Sequence, residues 1–127
     1  MKCAIQEVDT YVNTFDEWLE RLQSMSYFEI GLIVFFYKFE RQYEKDVPVE
    51  KDVESYYRVE KCWDEFKIAA AKEFSISTAE VEARILSLCR LGFCNQIDIA
   101  YLGCSHKVYY TTVYFEKFYV EVLEQDN

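Results

Sequence analysis

A chain of 127 residues, half of them apolar and with a net charge of −9, is the size of one domain and long enough to bury a core without disulfide or metal staples. That apolar content excludes intrinsic disorder. The negative charge disfavours a polyanionic partner over most of the chain. Three Gly and one Pro suit long helices with short connections. The first residues hold no apolar segment of signal-peptide type. The longest apolar run, "IGLIVFFY" at 30–37, is far short of the roughly 20 residues of a membrane span. The expectation is a cytoplasmic protein with no membrane association, whose five cysteines are free thiols.

Three capping boxes mark helix starts: Thr14–Glu17, Ser26–Glu29 and Ser77–Glu80. In each, a Ser or Thr is followed three positions later by a Glu that bonds back to the cap. The first helix is predicted at 15–24, with Phe15, Trp18, Leu19, Leu22 and Met25 on one face. The second is predicted at 27–44. Its stripe of Phe28, Leu32, Phe35, Phe36 and Phe39, with Ile30, Ile33, Val34 and Tyr37 beside it, is apolar nearly all round and so belongs at the centre of the core. Gly31 is placed for a close helix crossing. The charged stretch around Pro48, "EKDVPVEKD" at 44–52, ends this helix.

The third helix is predicted at 50–74, with Tyr56, Val59, Trp63, Phe66, Ala70 and Phe74 stepping by three or four. "SIS" is a short turn. The fourth helix, 78–91, buries Val81, Ile85, Leu88 and Leu91, and Gly92 stands where a left-handed C-cap residue belongs. From Phe93 the period becomes two, and Ile97, Ile99 and Tyr101 read as a strand. "GCSH" at 103–106 reads as the turn and "KVYYTT" as the returning strand. After Thr112, either a helix with Phe115, Phe118, Tyr119 and Val122 on one face or one long strand is open, the helical spacing being favoured. The fold class is therefore mainly α (α+β), with four to five helices and one short β-hairpin in a single domain spanning 1–127.

The order of three helices, then "STAEVEARILSLCRLGF" at 77–93, a hairpin and a closing helix resembles a winged-helix domain over about residues 54–125. Helices at about 15–44 precede the winged-helix-like part at about 50–125. The resemblance implies a DNA-reading fourth helix, with Arg84, Ser87 and Arg90 on bases and phosphates and His106 and Lys107 on the wing. The long helix before it departs from the family pattern. Residues 1–77 carry net −6, residues 78–112 net zero and residues 113–127 net −3. Three basic groups in the neutral segment are few beside the six to ten phosphate contacts of tight DNA binders.

Cys89, Cys94, Cys104 and His106 are the one constellation with metal-ligand chemistry. In a hairpin, however, Cys94 lies at the base and Cys104 at the tip, roughly 30 Å apart for nine strand residues, so no metal is expected. Cys104 and His106 have no orienting third group and no oxyanion site. No Gly-rich phosphate loop exists either, so neither catalysis nor a cofactor is expected. Twenty-three aromatics exceed the needs of one small core. Tyr27, Tyr43, Tyr57, Tyr109 and Tyr114 are the candidates for a protein interface, because tyrosine buries a large area while keeping a polar end.

Two functions follow as expectations. The first is a non-enzymatic protein-binding module, acting by protein–protein interaction and as a homodimer in one form. Small acidic accessory or inhibitor proteins of phages and mobile elements are the analogy. The alternative is a winged-helix transcription regulator that binds DNA as a dimer.

Overall fold

The computed structural model describes residues 16–46, 55–101 and 104–123. Helix α1 covers 16–23. After it, Ser26 caps helix α2, Tyr27–Asp46. The Glu29 amide donates to Ser26 Oγ at 3.2 Å and the Ser26 amide donates to the Glu29 carboxylate at 3.1 Å. Both halves of that capping box are thus formed. Thr14, the cap expected for α1, lies outside the described residues. The α2 helix runs two residues beyond its expected end.

Helix α3 is described over Ser55–Phe74; its expected start at residue 50 lies outside the described residues. It ends on Ser75 in the left-handed region, at φ 56°. The Ile76 amide then donates back to the Ala71 carbonyl at 3.0 Å. This is the Schellman closure, with serine where glycine is commonest. Helix α4, Thr78–Cys89, starts two residues on. Its Ser77 cap accepts from the Glu80 amide at 3.1 Å. Beyond α4 the chain reverses through Gly92 at φ 82°, a backbone conformation open to glycine at no steric cost.

Strands β1, Cys94–Tyr101, and β2, Cys104–Thr111, form one antiparallel hairpin. The register pairs Cys94 with Thr111 and Tyr101 with Cys104. The expected turn at 103–106 is corrected: Cys104, Ser105 and His106 already pair with Tyr101, Ala100 and Ile99. Thr112 closes the hairpin base. Its amide donates to the Phe93 carbonyl at 3.0 Å and its hydroxyl to the Gly92 carbonyl at 2.6 Å. The same Thr112 oxygen accepts from the Phe115 amide at 3.1 Å and so caps helix α5, Val113–Phe118. A π-helical turn, Tyr119–Leu123, follows. The open choice for this segment is resolved as helix, and the fold is mainly helical with one two-stranded hairpin.

The core is built by inward-facing side chains from the helices and the hairpin. Leu32, Ile33 and Phe36 from α2 meet Trp63, Phe66 and Ala70 from α3, and Val81, Ile85 and Leu88 from α4. Phe93, Val108, Phe115 and Phe118 complete it. Each large apolar side chain so buried contributes on the order of 1.5–3 kcal/mol. Phe36 and Phe66 stack at 4.1 Å between ring centres, which joins α2 to α3 at mid-length. Three positions differ from expectation. Leu19 is exposed, because Trp18 takes the inward position on α1. Leu91 is half-buried, since the helix has already ended at Cys89. Gly31 has room for a Cβ, which would meet the Phe74 ring at an ordinary 3.8 Å, so no close crossing depends on it.

Candidate functional site

The five residues that resemblance assigned to DNA do not form one positive surface. Arg84, on the outer face of α4, lies 3.6 Å from the Glu80 carboxylate, and its guanidinium covers the Phe28 ring at 5.4 Å. Arg90 folds back on its own helix end. It donates to Ser87 Oγ at 3.0 Å and to the Ser87 carbonyl at 3.4 Å. His106 points away from α4. Because β2 runs along α3, its Nε2 sits 3.4 Å from Asp64 and 3.9 Å from Glu60. Lys107 is exposed and stands opposite Asp98 in the hairpin register. A carboxylate thus accompanies Arg84, His106 and Lys107.

The aromatic candidates divide. Tyr27, the first residue of α2, is almost fully exposed. Tyr43 is half-buried, with the Arg58 guanidinium 5.5 Å from its ring centre. The Tyr57 side chain lies outside the described residues. Tyr109 is corrected: it is a core residue, with 2 % exposure and its ring 4.8 Å from that of Trp63. Tyr114 is half-buried. It is the seam between α1 and the rest, 4.8 Å from the Trp18 ring and 5.9 Å from Phe93. Its hydroxyl donates to Glu17 at 2.8 Å. Burial, and then that bond, push the Tyr114 phenol up to about 12.

An open apolar groove lies between α2 and α3. Phe39, Tyr43, Ile68 and Ala69 form its floor, with Gln42, Asp46 and Glu65 along its lips, enclosing about 510 Å³. Ile68 is 68 % exposed. The sequence signal for it is position: Ile68 lies off the Trp63–Phe66–Ala70 stripe, on the side of α3 that turns from the core. Two carboxylates and no cation line the groove among the described residues. Lys72 stands one turn further along α3.

A second, smaller feature escaped the sequence reading. Near the end of α2 the Glu40 side chain is only 11 % exposed. Its carboxylate accepts from the Thr111 amide at 3.1 Å and from the Thr111 hydroxyl, which ties α2 to the last residue of β2. Burial pushes the Glu40 carboxyl up to about 7, although the Thr111 bonds and Arg41 pull the other way. It adjoins a cavity of about 80 Å³ shared with Tyr43, Glu44, Arg58, Val59, Cys62, Tyr109 and Tyr110. Burial pushes the Cys62 thiol up to about 12. The signal for Glu40 is its spacing: it follows Ile33 and Phe36 at helical steps and so falls on the inward face.

This cavity is lined by two carboxyls, Glu40 and Glu44, and by one thiol that burial keeps protonated, so it offers no activated nucleophile. Among the described residues no three His, Cys, Asp or Glu side chains converge as a metal site. The register puts Cys94 and Cys104 at opposite ends of the hairpin. Likewise among the described residues, no helix is long and apolar enough to cross a membrane. No family model, no curated protein and no solved structure matches this chain.

Proposed function

We propose that the chain is a non-enzymatic protein-binding module whose α2–α3 groove receives a basic, amphipathic segment of a partner protein. The observation that carries this reading is the exposed Ile68 in an apolar floor edged by Asp46 and Glu65. An apolar anchor in such a groove gives affinity, and lip carboxylates favour a partner with Lys or Arg beside its anchor. The net charge of −9 draws the same class of partner from a distance. The winged-helix-like order of α3, α4, hairpin and α5 acts in this reading as scaffold. The working place is a reducing cytoplasm, in keeping with Cys62, Cys89 and Cys94 as free thiols. Small acidic inhibitors of phages and mobile elements remain the functional analogy.

The test is titration with a helical Leu/Lys peptide, followed by amide chemical shifts, with a Leu/Glu peptide of the same pattern as control. Shifts should centre on Phe39, Tyr43, Ile68 and Ala69, be lost in Ile68→Asp and be absent with the acidic peptide. Equal response to both peptides, or shifts centred on α4 and the hairpin, would reject the groove. The alternative of a DNA-binding regulator predicts the latter pattern with duplex DNA as the titrant.

A further inference from the structure

We propose that the Glu40–Thr111 contact is a proton-operated clasp, which holds the base of the hairpin on α2 while Glu40 is neutral and releases it as Glu40 ionises. On α2, the Arg41 guanidinium comes no nearer than 4.0 Å and lies against the Tyr37 ring at 4.9 Å. Its Nε is buried without a hydrogen-bond partner among the described residues. Glu44, also on α2, adds a like charge. On α3, Arg58 lines the far side of the cavity and donates to the Glu44 backbone carbonyl at 3.4 Å.

The remaining neighbours are neutral near pH 7. Burial raises the thiols of Cys62 on α3 and Cys94 on β1, and the phenols of Tyr43 on α2 and Tyr109 on β2. Tyr110 on β2 is a phenol that accepts from the Asn95 amide at 3.3 Å. An ionised Glu40 therefore has two hydrogen bonds to Thr111 and one cation, Arg41, at the outer limit of ion-pair distance, 4.0 Å. Taking a charge out of water costs more than such bonds return unless it is tightly paired.

The ionised form gains by reaching water, and the route is parting of α2 from Thr111. The neutral form loses little by staying, since a protonated carboxyl both accepts from the Thr111 amide and exchanges a hydrogen bond with its hydroxyl. Folding raises the Glu40 carboxyl from its ordinary 4.5 to about 7. Its contribution to stability is fully present below about 4.5 and is lost as pH rises through about 7. The consequence is local before it is global, because Thr111 is the last residue of β2 and Thr112 begins the cap of α5.

The experiment is a ¹³C titration of the Glu40 side-chain carboxyl in the intact protein, with amide exchange of Thr111 measured over the same pH range. A midpoint near 7 is expected. Thr111 protection, corrected for intrinsic exchange, should fall by on the order of tenfold or more across it. In Glu40→Gln, which keeps an acceptor for the amide and a donor for the hydroxyl, that fall should vanish. The variant's melting temperature should also gain on wild type by on the order of 5 °C between pH 5 and pH 8.5. A midpoint at or below about 4.5 would overturn the proposal. So would a midpoint near 7 with Thr111 protection unchanged across it.

Discussion

The Trp18 indole N–H on α1 donates to the Glu121 carboxylate in the π turn at 3.1 Å, across 103 positions of chain. With the Arg21 Nε bond to the Leu91 carbonyl at 3.0 Å and the Glu17–Tyr114 bond, it fixes a short helix that would not be stable alone. Trp18→Phe should cost about 1.5–3 kcal/mol, the range for a bond to an ionised acceptor, and Trp18→Ala about 3–5 kcal/mol. Denaturant melts of Trp18→Phe, Glu121→Gln and the double variant give the coupling. Additive costs would show that the bond contributes nothing beyond the ring's packing.

Ile33 is fully buried at the centre of α2. Ile33→Val should lower stability by about 0.5–1.5 kcal/mol, the usual loss for one buried methyl. Ile33→Asp should leave the chain unfolded or insoluble, since an unpaired buried charge costs several kcal/mol. Thermal melting checks both, and a soluble Asp variant melting near wild type would place α2 at the periphery.

The buried thiols should be unreactive in the native state. Cys94 is 1 % exposed and Cys62 8 %. Burial holds the Cys94 thiol well above its ordinary range and the Cys62 thiol at about 12. Thiolate is the reacting species. Alkylation at about pH 6, where the clasp keeps Glu40 neutral, resolved by peptide mass spectrometry, should therefore label both only after denaturant is added, with half-buried Cys89 ahead of them. Fast native labelling of Cys94 at that pH would mean the hairpin base opens readily with Glu40 neutral, against the clasp, which assigns opening to the ionised form.

Duplex DNA should not bind at about 150 mM salt, where weak non-specific binders still reach roughly 10⁻⁴–10⁻⁶ M. Arg84 is held by Glu80 and Phe28, and Arg90 by Ser87. A gel shift of nanomolar affinity for a defined site, lost in the Arg84→Ala, Arg90→Ala double variant, would sustain the regulator alternative instead.

What the sequence disclosed depended on whether the signal was local. Ser26 and Ser77 each cap the helix that their spacing announced, because a cap needs only the next three residues. The stripe through Leu32, Ile33 and Phe36 was legible for the same reason. The hairpin turn was placed too late because Cys104 and Ser105 look like turn residues, and only pairing with Tyr101 and Ala100 makes them strand. Tyr109 was mistaken for a surface residue because β2 lies along α3, so that Val108 and Tyr109, on opposite faces of the hairpin, are both buried. Glu40 meets Thr111 across 71 positions, and no local pattern names that partner.

The two tryptophans make the assembly of the fold observable by light. Trp63 is fully buried between α2, α3 and β2, whereas Trp18 sits at the seam where α1 meets Tyr114 and Phe118. Replacing Trp63 with Phe removes an indole N–H that has no hydrogen-bond partner among the described residues. The indole left behind then emits from the α1 seam alone. Trp18→Phe leaves the emitter in the helical core. Followed through a denaturant ramp, the two single-indole proteins separate the peeling of α1 from the melting of the core. The chain thus carries its own pair of position-specific optical reporters.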